Sequence, residues 1–270
     1  MPAPPSSYRE LPPPPVLAPY VSCLWVHSIG AGDGVYEHPV LPDACADIVS
    51  IGGDLALVGP ATQAVTERFK SGAVIVGVRF RTGAAPPILG ATAAEVRDSE
   101  VPMRDLWGRT GATLAERCAD AAAGPGGSAR LALLVDALLG RLDHAPGPDP
   151  VATRAACALA DRPATAVPDL ARRFDLSERQ LRRRVEAAVG YSPRTLARIL
   201  RFQRFLGAAR SPAASGRDLA RLAAETGYAD QAHLTRDSRR LTGLPPAALL
   251  DWEARRAAPA AEGKPAARVA

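Results

Sequence analysis

Residues 177–190, SERQLRRRVEAAVG, and residues 230–243, DQAHLTRDSRRLTG, decide the fold, because one short plan is written in both. Each opens on an N-cap residue, Ser177 or Asp230, and each closes 13 positions later on a glycine suited to end a helix, Gly190 or Gly243. Leu181 and Leu234 stand four places after the start, Arg183 and Arg236 six places after it. The exits agree as well, Gly190-Tyr191-Ser192-Pro193 matching Gly243-Leu244-Pro245-Pro246. A short helix precedes each copy: Val167 to Phe174 before a break at Asp175-Leu176, and Leu219 to Thr226 before a break at Gly227-Tyr228. Two helix-turn-helix units 53 residues apart follow from this spacing.

Charge is distributed in the same way. Residues 151–250 hold 18 Arg against 9 acidic residues, whereas residues 1–150 hold 11 basic against 16 acidic ones. The net charge of +5 therefore hides a basic segment joined to an acidic one, which points to a polyanionic partner for the first alone. A solvated helix surface in an Arg-rich protein gives the same count, so the positions of the arginines decide.

On the first copy Leu181 and Val185 share a face turned toward Leu170 and Phe174, while Arg179, Arg182 and Arg183 lie outward within one turn of each other. A reading helix presents its N-terminal half to base edges, and arginine suits guanine O6 and N7. Arg179, Arg182 and Arg183 are therefore the candidate base readers, with Arg184 expected to face backbone or solvent. On the second copy the outward set is Gln231, Ala232, Thr235 and Arg236. Gln231 suits adenine, Ala232 or Thr235 a thymine methyl, and Arg236 guanine or phosphate; His233 is expected to be a surface residue. Ser177, Arg194, Arg198, Arg239 and Arg240 are the phosphate candidates, Arg194 because it stands at a helix start. Between the units, Arg194 to about Leu206 reads as a helix of roughly 20 Å.

At these paired segments the chain resembles the AraC/XylS family of bacterial transcription regulators. The resemblance covers residues 151–252 and rests on Ser177-x-Arg-x-Leu-x-Arg, on Gly190-x-Ser-Pro, and on Gly227-Tyr228-x-Asp-Gln-x-x-Leu-Thr-Arg236 with Leu241-Thr-Gly-x-Pro245. It implies an all-α DNA-binding domain of two helix-turn-helix units joined by one long helix, with double-stranded promoter or operator DNA as partner. It implies RNA polymerase as a further partner if the protein activates, which is commoner in that family. Arg201 matches an arginine that ties the two subdomains together. Where relatives place a core Phe, Ser238 stands here, preceded by Asp237; the second unit is expected to pack less tightly, with Asp237 repelling nearby phosphate. Val40-Leu41-Pro42-Asp43 to Asp47-Ile48-Val49 is similar to sensor-like domains of some relatives, with Ala44 where a Gly is usual.

The chain as a whole reads as α+β. Residues 1–17 are a Pro-rich lead, extended and poorly ordered. Residues 18–108 form a β-rich sensor or dimerisation domain, a small sheet or barrel, with strands expected over Tyr20 to Ser28, Asp47 to Ile51, Leu55 to Val58 and Ala73 to Phe80. Residues 109–143 are a helical segment in which Leu131, Leu134, Leu138 and Leu139 make an apolar stripe, either core or dimer interface. Residues 144–150 are a Pro- and Gly-rich linker, and residues 253–270 a disordered tail. A small-molecule effector and a second copy of the chain are the partners expected of the β-rich domain. An uninterrupted apolar run of membrane-spanning length and a signal peptide are both absent from the sequence, so the expected location is the cytoplasm and no membrane partner is expected.

An enzyme in the β-rich half, addressed to DNA by the other, is the alternative, with His27, His38, Cys23, Cys45, Asp43 and Asp47 as its material. These residues lack metal-ligand spacing, and no nucleophile elbow, P-loop or dinucleotide fingerprint accompanies them, so the expectation is no catalytic residue, no cofactor and no metal. A protein-binding adaptor is a third reading, which predicts no affinity for DNA.

Overall fold

A strand buried on both faces reads as a nearly continuous apolar run, and Val21–Ser28 and Val74–Phe80 are such strands. A computed structural model of the chain describes residues 6–30, 35–123, 127–143, 145–211 and 218–257. Its strands are β1 (Ser7–Leu11), β2 (Val21–Ser28), β3 (Val35–Val40), β4 (Asp47–Ile51), β5 (Asp54–Val58), β6 (Val65–Lys70), β7 (Val74–Phe80) and β8 (Glu100–Pro102). Six of them form an antiparallel sheet in the order β1-β2-β7-β4-β5-β8, and β3 pairs with β6 as a separate ribbon. The helices that follow are α1 (Pro86–Leu89), α2 (Met103–Asp120) and α3 (Ser128–Leu142).

Alternation along the strands sorts the side chains into two cores. Leu24, Val26, Ile48, Val76, Val78 and Phe80 face the helices and meet Trp107, Leu114, Leu131, Leu134 and Leu138. The apolar stripe of α3 is thus core for Leu131, Leu134 and Leu138, with Leu139 half-buried at its edge. Cys23, Trp25 and Ile75 occupy the other face with Phe69 of the ribbon. There Trp25 pairs in register with Gly77 and lies over it. Arg130 enters the first core almost fully buried and donates to the carbonyls of Ser50 and Val74, pinning α3 across the ends of β4 and β7.

The second half is helical: α4 (Pro150–Asp161), α5 (Val167–Arg173), α6 (Glu178–Val189), α7 (Pro193–Arg210), α8 (Leu219–Glu225), α9 (Gln231–Thr242) and α10 (Pro246–Ala257). α5 with α6 and α8 with α9 are the two helix-turn-helix units, and α7 joins them. Its 18 residues give a spacer of about 27 Å, longer than the sequence suggests. Leu170, Leu181, Val185, Leu196, Ile199, Phe202, Phe205 and Leu234 fill one core, with Trp252 of α10 packed against it.

Several boundaries differ from the sequence reading. Ser7–Leu11, placed in the disordered lead, is an edge strand pairing Tyr8 with His27; its signal is short and ends against the prolines at 12–15. β3 carries Pro39, which a central strand would reject but a two-stranded ribbon accepts. The linker ends in structure, because Asp149 caps α4 by accepting from the amides of Val151 and Ala152; His144 lies outside the described residues. The tail begins later than residue 253, since α10 runs to Ala257, and residues 258–270 also lie outside the described set.

The two halves keep separate cores but are joined at one seam. Leu41 and Ala44, from the loop between β3 and β4, belong to the same buried cluster as the helical half. Gln203 of α7 donates to the carbonyl of Pro42 at 2.5 Å, Arg97 to that of Gly190 at 3.0 Å, and the amides of Ala93 and Ala64 to Ala187 and Leu241 at 2.8 and 2.7 Å.

Candidate nucleic-acid interface

α6 begins where Ser177 says it should. Its Oγ accepts from the Gln180 amide while the Gln180 side chain accepts from the Ser177 amide, so the capping box is complete. Leu181 and Val185 are fully buried, which turns Arg179, Arg182 and Arg183 outward into solvent. Arg182 is held along the helix by Glu186, Nε to Oε1 at 2.7 Å. The Ser177 hydroxyl also bonds Gln180 Oε1, so a phosphate at this helix start would meet a hydroxyl already committed to the cap.

Arg184 keeps about a third of its side chain, 37%, open to solvent, and it is also paired. It makes a two-pronged pair with Asp149, at 2.8 and 2.9 Å, and so ties α6 to the cap of α4. Burial alone would raise the Asp149 pKa, but the bonds from Arg184 and from the Ala152 and Val151 amides outweigh it and hold the carboxyl below its usual range. The Arg184 guanidinium is correspondingly raised by its bond to Asp149.

On the second unit Asp230 caps α9 through the His233 amide. Gln231, Ala232 and Arg236 are exposed, Thr235 is half-buried, and these four share a shallow depression of about 530 Å³ with Arg239. The Thr235 hydroxyl bonds the Gln231 carbonyl, which leaves its methyl as the group available to a partner. Arg239 thereby joins the outward polar row, whereas Arg240, also exposed, is not among the side chains lining that depression. Both stand in the last turn, where cations favour the helix dipole.

Asp237 sits differently from the expectation. It is buried, with carboxylate oxygens 3.2 Å from Arg198 and 3.3 Å from Arg201, and His233 at 3.7 Å. Two arginines neutralise it, so it anchors α9 to α7 instead of presenting a repelling charge. Arg201 also lies over the Tyr228 ring, 4.9 Å from its centroid, so it ties the joining helix α7 to the second unit. Arg198 spends its Nε on Asp237 and is mostly buried, although it still lines the cleft below. Ser238 is fully buried and its hydroxyl donates to the Leu244 carbonyl at 2.7 Å. A hydrogen bond across the turn thus takes the place that a core aromatic was expected to fill.

A cleft of about 1050 Å³ opens between the units. Arg179, Arg182, Arg194 and Arg198 line it beside Ser192, which caps α7 by accepting from the Thr195 amide. Among the described residues no carboxylate lies within ion-pairing distance of Arg179, Arg183, Arg194 or Arg236. The sequence pointed to most of these residues, but not to the cleft, because it is formed by helices far apart in the chain.

The residues considered for an enzyme are engaged elsewhere. His27 packs edge-on against Tyr8, Tyr36, His38 and Phe69, at centroid distances of 5.0 to 6.2 Å. Asp47 and Asp43 flank the buried Arg79, with Arg79 bonding both Asp47 oxygens at 3.0 and 2.7 Å. Burial would lower the Arg79 pKa, but the two carboxylates prevail and raise it. Cys45 donates its amide to Asp43. Ala44 adopts a left-handed conformation, φ 65°, at the position where a Gly is usual. Among the described residues no three His, Cys, Asp or Glu side chains converge as a metal site, and no helix is long and apolar enough to cross a membrane.

Residues 170–251 match a family described as a helix-turn-helix domain, and residues 9–102 match one described as a domain of unknown function (DUF6597). Searches of curated proteins and of solved structures gave no match.

Proposed function

We propose, from the premise that the C-terminal region is an AraC-type helix-turn-helix domain, that the chain regulates transcription by reading a specific DNA sequence with both of its units. A domain of that type implies DNA binding; the sequence specificity and the residue roles are our reading. One observation carries it. Two capped helices of the same domain each bury one face and turn a row of exposed arginine or amide side chains outward from their N-terminal halves.

In this reading Arg179, Arg182 and Arg183 contact bases in one major groove, and Gln231, Ala232, Thr235 and Arg236 in the next. Arg194, Arg198, Arg239 and Arg240 meet phosphates, with Arg194 and Arg198 reaching them from the cleft, while Ser177, engaged with Gln180, holds the start of α6. RNA polymerase, a small-molecule effector and a second copy of the chain are the further partners this reading allows. The test is selection of bound duplexes from a random pool by the full chain, followed by titration in rising salt. A short enriched motif with an affinity that falls steeply with salt is the expected result, each neutralised phosphate adding about 0.9 to the slope of log K against log salt. Enrichment of no sequence, or equal affinity for every duplex, would show a non-specific binder.

A further inference from the structure

The last carbonyls of a helix have no partner within it and must be met from outside. In each reading helix one of them is met by the N-terminal domain, as is the Gly190 carbonyl just past the end of α6. At the end of α6 the carbonyl of Ala187 accepts from the Ala93 amide at 2.8 Å, and that of Gly190 from Arg97 at 3.0 Å. At the end of α9 the carbonyl of Leu241 accepts from the Ala64 amide at 2.7 Å. Between them the buried Gln203 of α7 donates to Pro42. The side of contact is selective: among the described residues the hydrogen bonds from the N-terminal domain reach only the C-terminal ends of α6 and α9, and the N-terminal halves that carry the outward rows are left clear.

We propose that the N-terminal domain is a brace, which caps the C-terminal ends of both reading helices and thereby fixes their relative angle and spacing. The brace rests on the reading that both units engage DNA. α7 alone joins the units along one line, and a single line permits rocking. Ties at Ala64 and at Ala93 with Arg97 add a second line on the far side, so the units cannot turn independently. The loop that holds Pro42 is itself stiff. Asp43 and Asp47 are locked on Arg79 inside the sheet, and Leu41 and Ala44 are buried in the helical core. When two modules are held at the right separation, the second binds as an intramolecular event and affinity rises by roughly 10² to 10⁴; when geometry is lost the gain is lost.

The test uses the full chain and duplexes recovered from a random pool by the wild type. Two variants loosen opposite ends, Arg97→Ala with Gln203→Ala for α6 and α7, and Ala64→Pro, which lacks the donated N–H, for α9. The expected result is an affinity lower by about tenfold or more on the recovered duplex, with nuclease protection reduced to one groove segment. A duplex shortened to the segment under α6 changes by less than about twofold. Variants that melt like the wild type and keep its affinity and protection overturn the brace. Should the variants misfold, amide exchange in the wild type decides: the amides of Ala64 and Ala93 should exchange as slowly as those of β7, and exchange at an open-chain rate overturns it. A wild type that enriches no sequence fails earlier, at the DNA reading itself, before any variant is made.

Discussion

At the scale of single residues, function and stability separate cleanly. Arg182 and Arg183 are outward and wet, so Arg182→Ala or Arg183→Ala should leave folding intact while weakening binding to the selected sequence by about 1 to 3 kcal/mol. Equal losses on selected and random duplexes, measured by titration, would assign the side chain to phosphate. Asp237 is the opposite case. Removing a buried carboxylate strands Arg198 and Arg201, so Asp237→Ala should destabilise the chain by about 3 kcal/mol or more, read as a lower midpoint in urea. The cap residues Ser177 and Asp230 and the outward arginines were legible in the sequence, because capping and helical period are local rules. The partners of Arg184 and Asp237 were not, because those pairs join residues 35 and 36 positions apart or more. Charge read along one helix made Asp237 a repulsive group; charge read across two helices makes it a tie.

At the scale of elements, α6 and α9 are defined by their ends. Asp149 starts α4 and holds Arg184 of α6, and its depressed pKa has a definite consequence for pH. A carboxyl whose folded pKa lies below its unfolded value stabilises the fold above about pH 4, and that contribution fades as pH falls through the folded pKa. Urea midpoints should therefore drop below about pH 4, and Asp149→Ala should remove that part of the drop and cost about 1 kcal/mol at neutral pH through the lost cap. The two terminal glycines make a second comparison. Gly190 and Gly243 both have positive φ, 95° and 76°, so alanine at either costs about 1 to 2 kcal/mol of backbone strain. At Gly190 the added methyl would also lie 2.9 Å from the Ala93 carbonyl oxygen, whereas nothing lies within 4 Å at Gly243. Gly190→Ala should thus lower the melting temperature further than Gly243→Ala. The central strands β2, β4, β5 and β7 were visible as apolar runs. β1, β3 and β6 were hidden because edge and ribbon strands are half-polar, and β8 because it is only three residues long; their identity comes from what they pair with.

At the scale of the molecule, the charge contrast between the halves suggested two bodies on a linker, and that contrast is real. It said nothing of the junction, since a core shared between Leu41, Ala44 and the helical half has no signature along the chain. Because Leu41 and Ala44 are buried in the helical half and backbone hydrogen bonds cross the junction, unfolding should be one event. Transitions followed by near- and far-ultraviolet circular dichroism should coincide, and the calorimetric and van't Hoff enthalpies should agree; two resolved transitions would mean that the halves melt separately. The three tryptophans of the chain are parcelled out one to each buried cluster: Trp25 among the rings behind the sheet, Trp107 between sheet and helices beneath Arg141, and Trp252 against the helical core. The protein consequently carries three native fluorophores, and replacing two at a time with phenylalanine would give indole emission a separate address in each half, without any attached dye.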